Sequence, residues 1–221
     1  MREKIKKLFD IKYILIYWAV ILIIYGILLA LTRKYELLSA FYHLALLIFP
    51  LILILSKKET LGNLGFKKGN IQQGIAFLIV ILVVMIGGTY LRALLAYKHV
   101  SLVFDFSFPF LATIFLAPIS EEIFHRGLLQ TKLEKIFDET YEIVFPAILF
   151  ALIHVPKLLF AKEFVSPSAS SASIFPGLIV SLFVLFVLGM LFGYIYQKTK
   201  SIYYTIGTHF LYNLILVIFI Y

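Results

Sequence analysis

The sequence contains no cysteine and few charged residues. Without cysteine there are no disulfides, no thiolate metal sites and no cysteine nucleophile. Charged residues make up 14% of the 221 positions, against about 25% in an average soluble domain. Hydrophobic residues make up 62% of the sequence, and an ordinary soluble domain could not bury so much apolar surface. A disordered chain is also excluded, because disorder needs a high content of charged residues. The composition indicates a helical integral membrane protein.

Seven apolar segments are long enough to cross a bilayer, because a helix rises about 1.5 Å per residue and the hydrocarbon core is about 30 Å thick. The predicted spans are Ile11–Leu31, Leu37–Leu55, Ile71–Tyr97, Phe108–Gln130, Tyr141–Val155, Ile174–Gln197 and Ile202–Tyr221. We therefore predict an all-α, polytopic integral membrane protein in which residues 1–221 form a single membrane domain.

The basic residues predict how the chain is oriented. The net charge is +8, yet the Lys and Arg residues lie in the connections between apolar runs. That distribution is typical of membrane-flanking loops and predicts no nucleic-acid partner. The N-terminus and every second loop carry 13 of the 20 Lys and Arg residues, and the opposite side carries 5. Because cytoplasmic loops are enriched in Lys and Arg, we predict a cytoplasmic N-terminus.

The fourth segment carries charged residues deep within an apolar run. Glu121 and Glu122 are followed there by Arg126. Ionisable groups at membrane depth cost about 2.5–3.5 kcal/mol on insertion scales, so they persist where they are paired or line a wet cavity. Glu122 and Arg126 are four residues apart and share a helix face, which predicts an ion pair, whereas Glu121 points away from that face. Pro118 is expected to free the carbonyl of Ile114 and to open space near the glutamates.

Polar residues also interrupt the fifth and seventh segments. His154 follows Phe150 by four residues, and His209 and Asn213 share one helix face. A single buried His often only satisfies a core hydrogen bond, and polar residues also hold membrane helices together. Three such clusters on three spans favour one hydrolytic site, formed by Glu121, Glu122, Arg126, His154, His209 and Asn213.

The order of these motifs resembles a known family. APxxEExxxRG at 117–127, FxxxH at 150–154 and HxxxN at 209–213 follow one another within apolar spans. The pattern is similar to that of the CAAX prenyl endoprotease and bacteriocin-processing (CPBP, or Abi) family of intramembrane proteases, and it places the catalytic motif core in residues 117–213. Members of this family commonly have eight helices, so we predict seven to eight transmembrane helices.

The resemblance implies a role for each site residue. Glu121 would be the general base that activates water, and His154 would help to hold that water. The Glu122–Arg126 pair would shape the site. His209 and Asn213 would stabilise the oxyanion of the tetrahedral intermediate, which is also what peptide hydrolysis requires of nearby donors.

The resemblance also implies a function and its surroundings. The protein would be an intramembrane endopeptidase, with membrane lipid and a peptide or prenylated protein as partners. The membrane would be the cell membrane in a prokaryote and the endoplasmic reticulum in a eukaryote. Two alternatives stay open at this point: a non-enzymatic protein such as a bacteriocin self-immunity factor, and a proton-coupled transporter, because buried Glu and His also form proton relays.

The sequence permits catalysis with or without a metal. Glu121, His154 and His209 are able to form a two-His, one-carboxylate site for a divalent metal such as zinc. Residues 121–125, EEIFH, are the zinc motif HExxH with its first His replaced by Glu, which argues against that motif. We prefer water activated by glutamate, with no obligatory cofactor, and interpret His125 as a structural partner of Glu121.

Other polar and small residues within the apolar segments receive no catalytic role. Gly189 and Gly193 form a GxxxG motif, which mediates either dimerisation or close packing within the bundle. His43 and His99 have no partner motif. The oligomeric state is therefore left open.

Overall fold

The described part of the chain is almost entirely helical. A computed structural model describes residues 2–32, 35–95, 101–102, 107–160 and 171–220. The helices are α1 (Arg2–Thr32), α2 (Tyr35–Leu55), α3 (Ile71–Leu95), a composite α4 over 108–133, α5 (Tyr141–Leu152), α6 (Val155–Phe160), α7 (Ser171–Thr199) and α8 (Ile202–Ile218). Two short strands, β1 (Ser101–Leu102) and β2 (Phe219–Ile220), form an antiparallel pair.

The helices confirm the all-α membrane class. Within the described ranges, five helices are long and apolar enough to cross a membrane, namely Ile11–Thr32, Leu37–Leu55, Ile71–Leu95, Tyr141–Phe160 and Pro176–Thr199, and Ile202–Ile218 is a shorter apolar helix. The predicted fifth span was too short, because the chain continues through a turn at 153–154 into α6. The predicted third and seventh spans also include residues 96–97 and 221, which lie outside the described residues.

Helix α4 contains the predicted fourth span and is assembled from short pieces. They are Phe108–Leu111, the π-helical Ala112–Leu116, Ala117–Glu122, the π-helical Ile123–Gln130 and Thr131–Leu133. The backbone stays right-handed helical at each junction, so the pieces form one continuous helix. A π-helix bonds each N–H to the carbonyl five residues earlier, and such segments inside α-helices are frequent at functional sites. The two π-helical pieces flank the piece that carries both glutamates.

Pro118 leaves a backbone carbonyl on α4 available to another helix. The N–H of Ala117 bonds to the carbonyl five residues earlier, so the helix has π spacing there. In that spacing residue 118 would donate to Thr113, but proline has no N–H. The Thr113 carbonyl instead accepts a hydrogen bond from Asn213 Nδ2 at 2.9 Å. The sequence prediction named Ile114 from α-helical spacing; the carbonyl in use lies one residue earlier.

The outer surface and the core differ as expected for a membrane bundle. Large apolar side chains on α1, α3 and α7 are exposed, including Ile23, Val83 and Phe183. The core between the helices is also apolar and includes the fully buried Phe124 and Leu29. Exposed apolar surface of this kind is costly in water and suits a lipid environment. The charged side chains deep in α4, namely Glu121, Glu122 and Arg126, are by contrast buried inside the bundle.

One end of the bundle is held together by ion pairs between connections. Glu59, in the connection between α2 and α3, pairs with Lys132 at the end of α4. Glu134 pairs with Lys200, between α7 and α8, at 3.0 Å. Three of the connections that the sequence predicts on the cytoplasmic side therefore meet at one end.

Candidate active site

The two adjacent glutamates of α4 have different partners. Glu122 and Arg126 are fully buried, and Arg126 Nη1 donates to Glu122 Oε1 at 3.2 Å. The predicted ion pair is therefore present. His209 Nδ1 lies 2.9 Å from the same Glu122 oxygen. Glu122 thus joins α4 to α8 through one carboxylate oxygen that Arg126 and His209 share.

The contact with Glu122 determines which nitrogen of His209 carries a proton. A carboxylate paired with Arg126 accepts hydrogen bonds and donates none, so the proton lies on His209 Nδ1. The other nitrogen, Nε2, is 3.9 Å from Glu121 Oε2. A neutral His209 presents an acceptor there, and an imidazolium presents a donor. His209 is therefore able to donate a hydrogen bond from Nε2 only as the imidazolium.

Aromatic rings surround the buried arginine. The guanidinium carbon of Arg126 is 4.8 Å from the ring centre of Phe150 and 5.6 Å from that of Phe192. The ring of His209 stacks on Phe192 with ring centres 4.7 Å apart. Arginine lying over aromatic faces gains cation–π attraction. Phe150, the first residue of FxxxH, thus holds the arginine of the first motif.

The GxxxG motif packs inside the bundle and supplies two carbonyl groups to α4. The Gly189 carbonyl accepts from Arg126 Nη2 at 2.9 Å, and the Gly193 carbonyl accepts from Gln130 Nε2 at 2.9 Å. A Cβ on Gly189 would lie 2.9 Å from the Cα of Ala147 on α5. Of the two predicted roles for this motif, the structure shows close packing within the bundle.

This packing predicts that Gly189→Ala destabilises the protein. The added methyl would press on α5 backbone, so α7 must move and its bond to Arg126 lengthens. We expect a loss of about 1–3 kcal/mol, the usual cost of overpacking, measured as a lower unfolding temperature in detergent. Gly177→Ala on the same helix is the control, because no described atom lies within 4 Å of its added Cβ. Equal stability of the two variants would contradict the packing argument.

Glu121 is buried without a close ion-pair partner. Its Oε1 is 3.7 Å from His43 Nδ1, and its Oε2 is 3.9 Å from His209 Nε2. Both distances exceed those of hydrogen bonds. Among the described residues, no side chain or backbone group hydrogen-bonds Oε2. His125 Nδ1 donates to the Glu121 backbone carbonyl at 2.8 Å, so it is a structural partner of that residue through the main chain.

His154 and Asn213 each use one polar atom to fix their orientation and leave another available. His154 Nδ1 donates to the Phe150 carbonyl at 2.9 Å, so its Nε2 is an acceptor. Asn213 Nδ2 donates to the Thr113 carbonyl and retains a second N–H. The proline-dependent carbonyl described above therefore orients the asparagine of the HxxxN motif.

Four of the predicted site residues line one cavity of about 100 Å³. They are Glu121, His154, His209 and Asn213, and the remaining lining residues are Tyr25, Ser39, Tyr42, His43, Thr113, Ala117, Ile153 and Lys157. The cavity is polar and has space for several water molecules. The Glu122–Arg126 pair lies behind this wall and orients His209.

The sequence analysis missed part of this lining. His43 had received no role, yet it borders both the cavity and Glu121. Lys157, which had been counted only among loop charges, also lines the cavity. The signal for His43 was available, because it is an ionisable residue within an apolar segment, as are five of the six residues that were selected.

The side chains that could form a zinc site do not fit one as they are placed. Within the described ranges, no group of three His, Asp or Glu side chains has the spacing of a metal site. The predicted set of Glu121, His154 and His209 shares a cavity but is not gathered around one point.

Comparison with known proteins gives one family match. The family of that match is described as Rce1-like, type II CAAX prenyl endopeptidase Rce1-like, and the matched residues are 103–215, a little over half of the chain. Comparisons with curated proteins and with solved structures gave no match. The matched range includes all six predicted site residues and leaves out α1, α2 and α3, which contain four of the cavity-lining residues.

Proposed function

Because this chain belongs to the Rce1-like, type II CAAX prenyl endopeptidase family, we propose that it is an intramembrane endopeptidase in which Glu121 activates water. One observation carries the proposal. Glu121 is the glutamate that faces the cavity, whereas its neighbour Glu122 is bonded to Arg126 and His209. A buried carboxylate beside a water-sized space, within reach of further polar groups, suits a general base.

In the proposed reaction, a water molecule lies between Glu121 and His154. His154 Nε2 accepts one hydrogen bond from this water, and the Glu121 carboxylate takes a proton as the water oxygen attacks the scissile carbonyl carbon. The carbon–oxygen double bond becomes a single bond, and the negative charge passes to the carbonyl oxygen. The oxyanion then re-forms the carbon–oxygen double bond as the carbon–nitrogen bond breaks, and Glu121 transfers the proton to the leaving nitrogen, which gives a carboxylic acid and an amine.

The developing oxyanion is stabilised by Asn213 and His209. Asn213 offers the N–H that Thr113 does not use, and the His209 imidazolium offers its Nε2–H. Donors held in place before the reaction are effective in a low-dielectric site because they do not need to reorient. The Glu122–Arg126 pair is proposed to keep His209 in the required orientation, because Glu122 accepts the Nδ1–H of His209.

We propose that the substrate is a peptide near the membrane, such as the C-terminal tail of a prenylated CAAX protein. The family supports this class, and the exposed apolar sides of the bundle support a site close to lipid. We also propose that the N-terminus is cytoplasmic. The ion pairs that join three connections at one end support that orientation, because those connections carry the basic residues that the positive-inside rule places in the cytoplasm.

The proposed activity is tested with purified protein and paired peptides. A farnesylated peptide ending in a CAAX sequence and the same peptide without the lipid are incubated with the protein in nanodiscs, and the products are identified by mass. We expect the farnesylated peptide to lose its last three residues. If no peptide of a varied panel is cleaved in nanodiscs or detergents, the endopeptidase proposal fails.

Metal removal is expected to leave the activity unchanged. Glutamate, histidine and asparagine supply every group in the proposed reaction, so a chelator has no target at the site. Elemental analysis of active protein should give far less than one zinc per chain, and dialysis against a chelator should preserve the cleavage rate. One zinc per chain, together with activity that is lost on chelation and restored by zinc, would contradict the proposal.

A further inference from the structure

His43 stands beside the candidate general base although it lies outside the family match. It is on α2, is 7% exposed and lines the same cavity as Glu121. Its Nδ1 lies 3.0 Å from Ser120 Oγ and 3.7 Å from Glu121 Oε1. The residue therefore contacts two consecutive positions of α4 from a different helix.

The hydrogen-bond partners indicate where the His43 proton lies. Ser120 is fully buried, and its hydroxyl donates to the Ala117 carbonyl at 3.1 Å. Because a hydroxyl has one hydrogen, Ser120 Oγ is left as an acceptor toward His43. A bare nitrogen lone pair would also face the Glu121 carboxylate unfavourably. Both neighbours thus favour a proton on His43 Nδ1.

The two oxygens of Glu121 have a histidine on each side. His43 Nδ1 faces Oε1, and His209 Nε2 faces Oε2. The ring of His43 is itself held, because it meets the ring of Tyr42 edge-on with ring centres 5.4 Å apart. A carboxylate between two fixed rings has little freedom to rotate.

We propose that His43 is a positioning residue for Glu121, and this inference rests on the proposed function. Its Nδ1–H donates to Ser120 Oγ, which fixes the ring 3.7 Å from Glu121 Oε1 and limits the rotation of the carboxylate beside the cavity. Contacts of this length in a substrate-free site tighten when substrate binds. The role is carried by α2, so the part of the chain outside the family match contributes to catalysis.

The test compares substitutions that keep or remove the donor at the Nδ1 position. In His43→Asn the side-chain amide can place an N–H at the former position of Nδ1. In His43→Gln the amide can place an N–H only at the position of Nε2. His43→Leu has no side-chain donor. For cleavage of the farnesylated CAAX peptide we expect kcat to fall about 10- to 100-fold in the Leu and Gln variants, the cost of a misplaced group. KM should change by less than about threefold, and the Asn variant should retain most of kcat.

A second measurement needs no substrate. The infrared difference spectrum between wild type and Glu121→Gln contains the carboxyl band of Glu121. We expect this band to shift in His43→Leu and to stay in place in His43→Asn. Leu44→Ala, an exposed neighbour on α2, is the control for general effects on this helix.

The outcomes separate this inference from the proposed function. Wild-type kcat in His43→Leu, equal losses in the Leu and Asn variants, or an unshifted carboxyl band would overturn the role of His43. If wild-type protein cleaves no peptide, the endopeptidase proposal fails, while the infrared spectrum still decides whether His43 acts on Glu121.

Discussion

Glu121→Gln is expected to abolish peptide cleavage and to leave the fold intact. The amide is close in size to the carboxylate but cannot accept a proton from water. A general base contributes about 10²–10⁴-fold to a reaction rate. The cleavage rate of the farnesylated peptide should therefore fall by at least about 100-fold. The unfolding temperature should not fall, because the substitution breaks no ion pair shorter than the 3.7 Å contact with His43. Mass-resolved cleavage rates and unfolding in detergent provide the two measurements.

The matched control for Glu121→Gln is Glu134→Gln. This control replaces the same type of side chain, but Glu134 is exposed, pairs with Lys200 and lies away from the cavity. We expect the control to cleave at the wild-type rate. If Glu121→Gln cleaves the peptide at a rate comparable with wild type, Glu121 is not the general base, even if the protein is an endopeptidase.

Arg126→Met is expected to cause the largest loss of stability. Methionine is apolar and can occupy the space between the two phenylalanines, but it leaves Glu122 buried without its arginine. Removing one partner of a buried ion pair costs about 3–5 kcal/mol, because the remaining charge is uncompensated. The Gly189 carbonyl loses its donor as well. Unfolding of the variant by heat or by increasing SDS should therefore begin well before that of wild type.

Two variants make the cause of that loss visible. Lys200→Met breaks the exposed pair with Glu134 and should cost no more than about 1 kcal/mol. Arg126→Met combined with Glu122→Gln removes the orphaned charge, so the double variant should be more stable than Arg126→Met alone. A double variant that is less stable than the single one would show that the arginine acts through packing and not through its charge.

The features that depend on spacing along one helix could be predicted from the sequence. Glu122 and Arg126 are four residues apart, and they pair because that spacing places both on one face. The helical segments follow from the length of the apolar runs, which the structure confirms for most of them. The convergence of His154, His209 and Asn213 on Glu121 came from the motif order, which has no simple physical rule behind it.

The features that depend on contacts between distant helices could not be predicted in this way. His43 is 77 positions before Ser120, and nothing in the local pattern connects the two. The use of Gly189 and Gly193 carbonyls by Arg126 and Gln130 depends on how closely α7 approaches α4. The apolar run does not predict the π-helical pieces of α4, and the piece before Pro118 changes which carbonyl that proline leaves available.

The two glycine carbonyls bear on how a peptide reaches the site. Arg126 and Gln130 fasten α4 to α7 at two points one helical turn apart, through buried hydrogen bonds to the Gly189 and Gly193 carbonyls. A gate is built where helices can separate without breaking buried polar bonds. The route of entry is therefore not expected to run between α4 and α7.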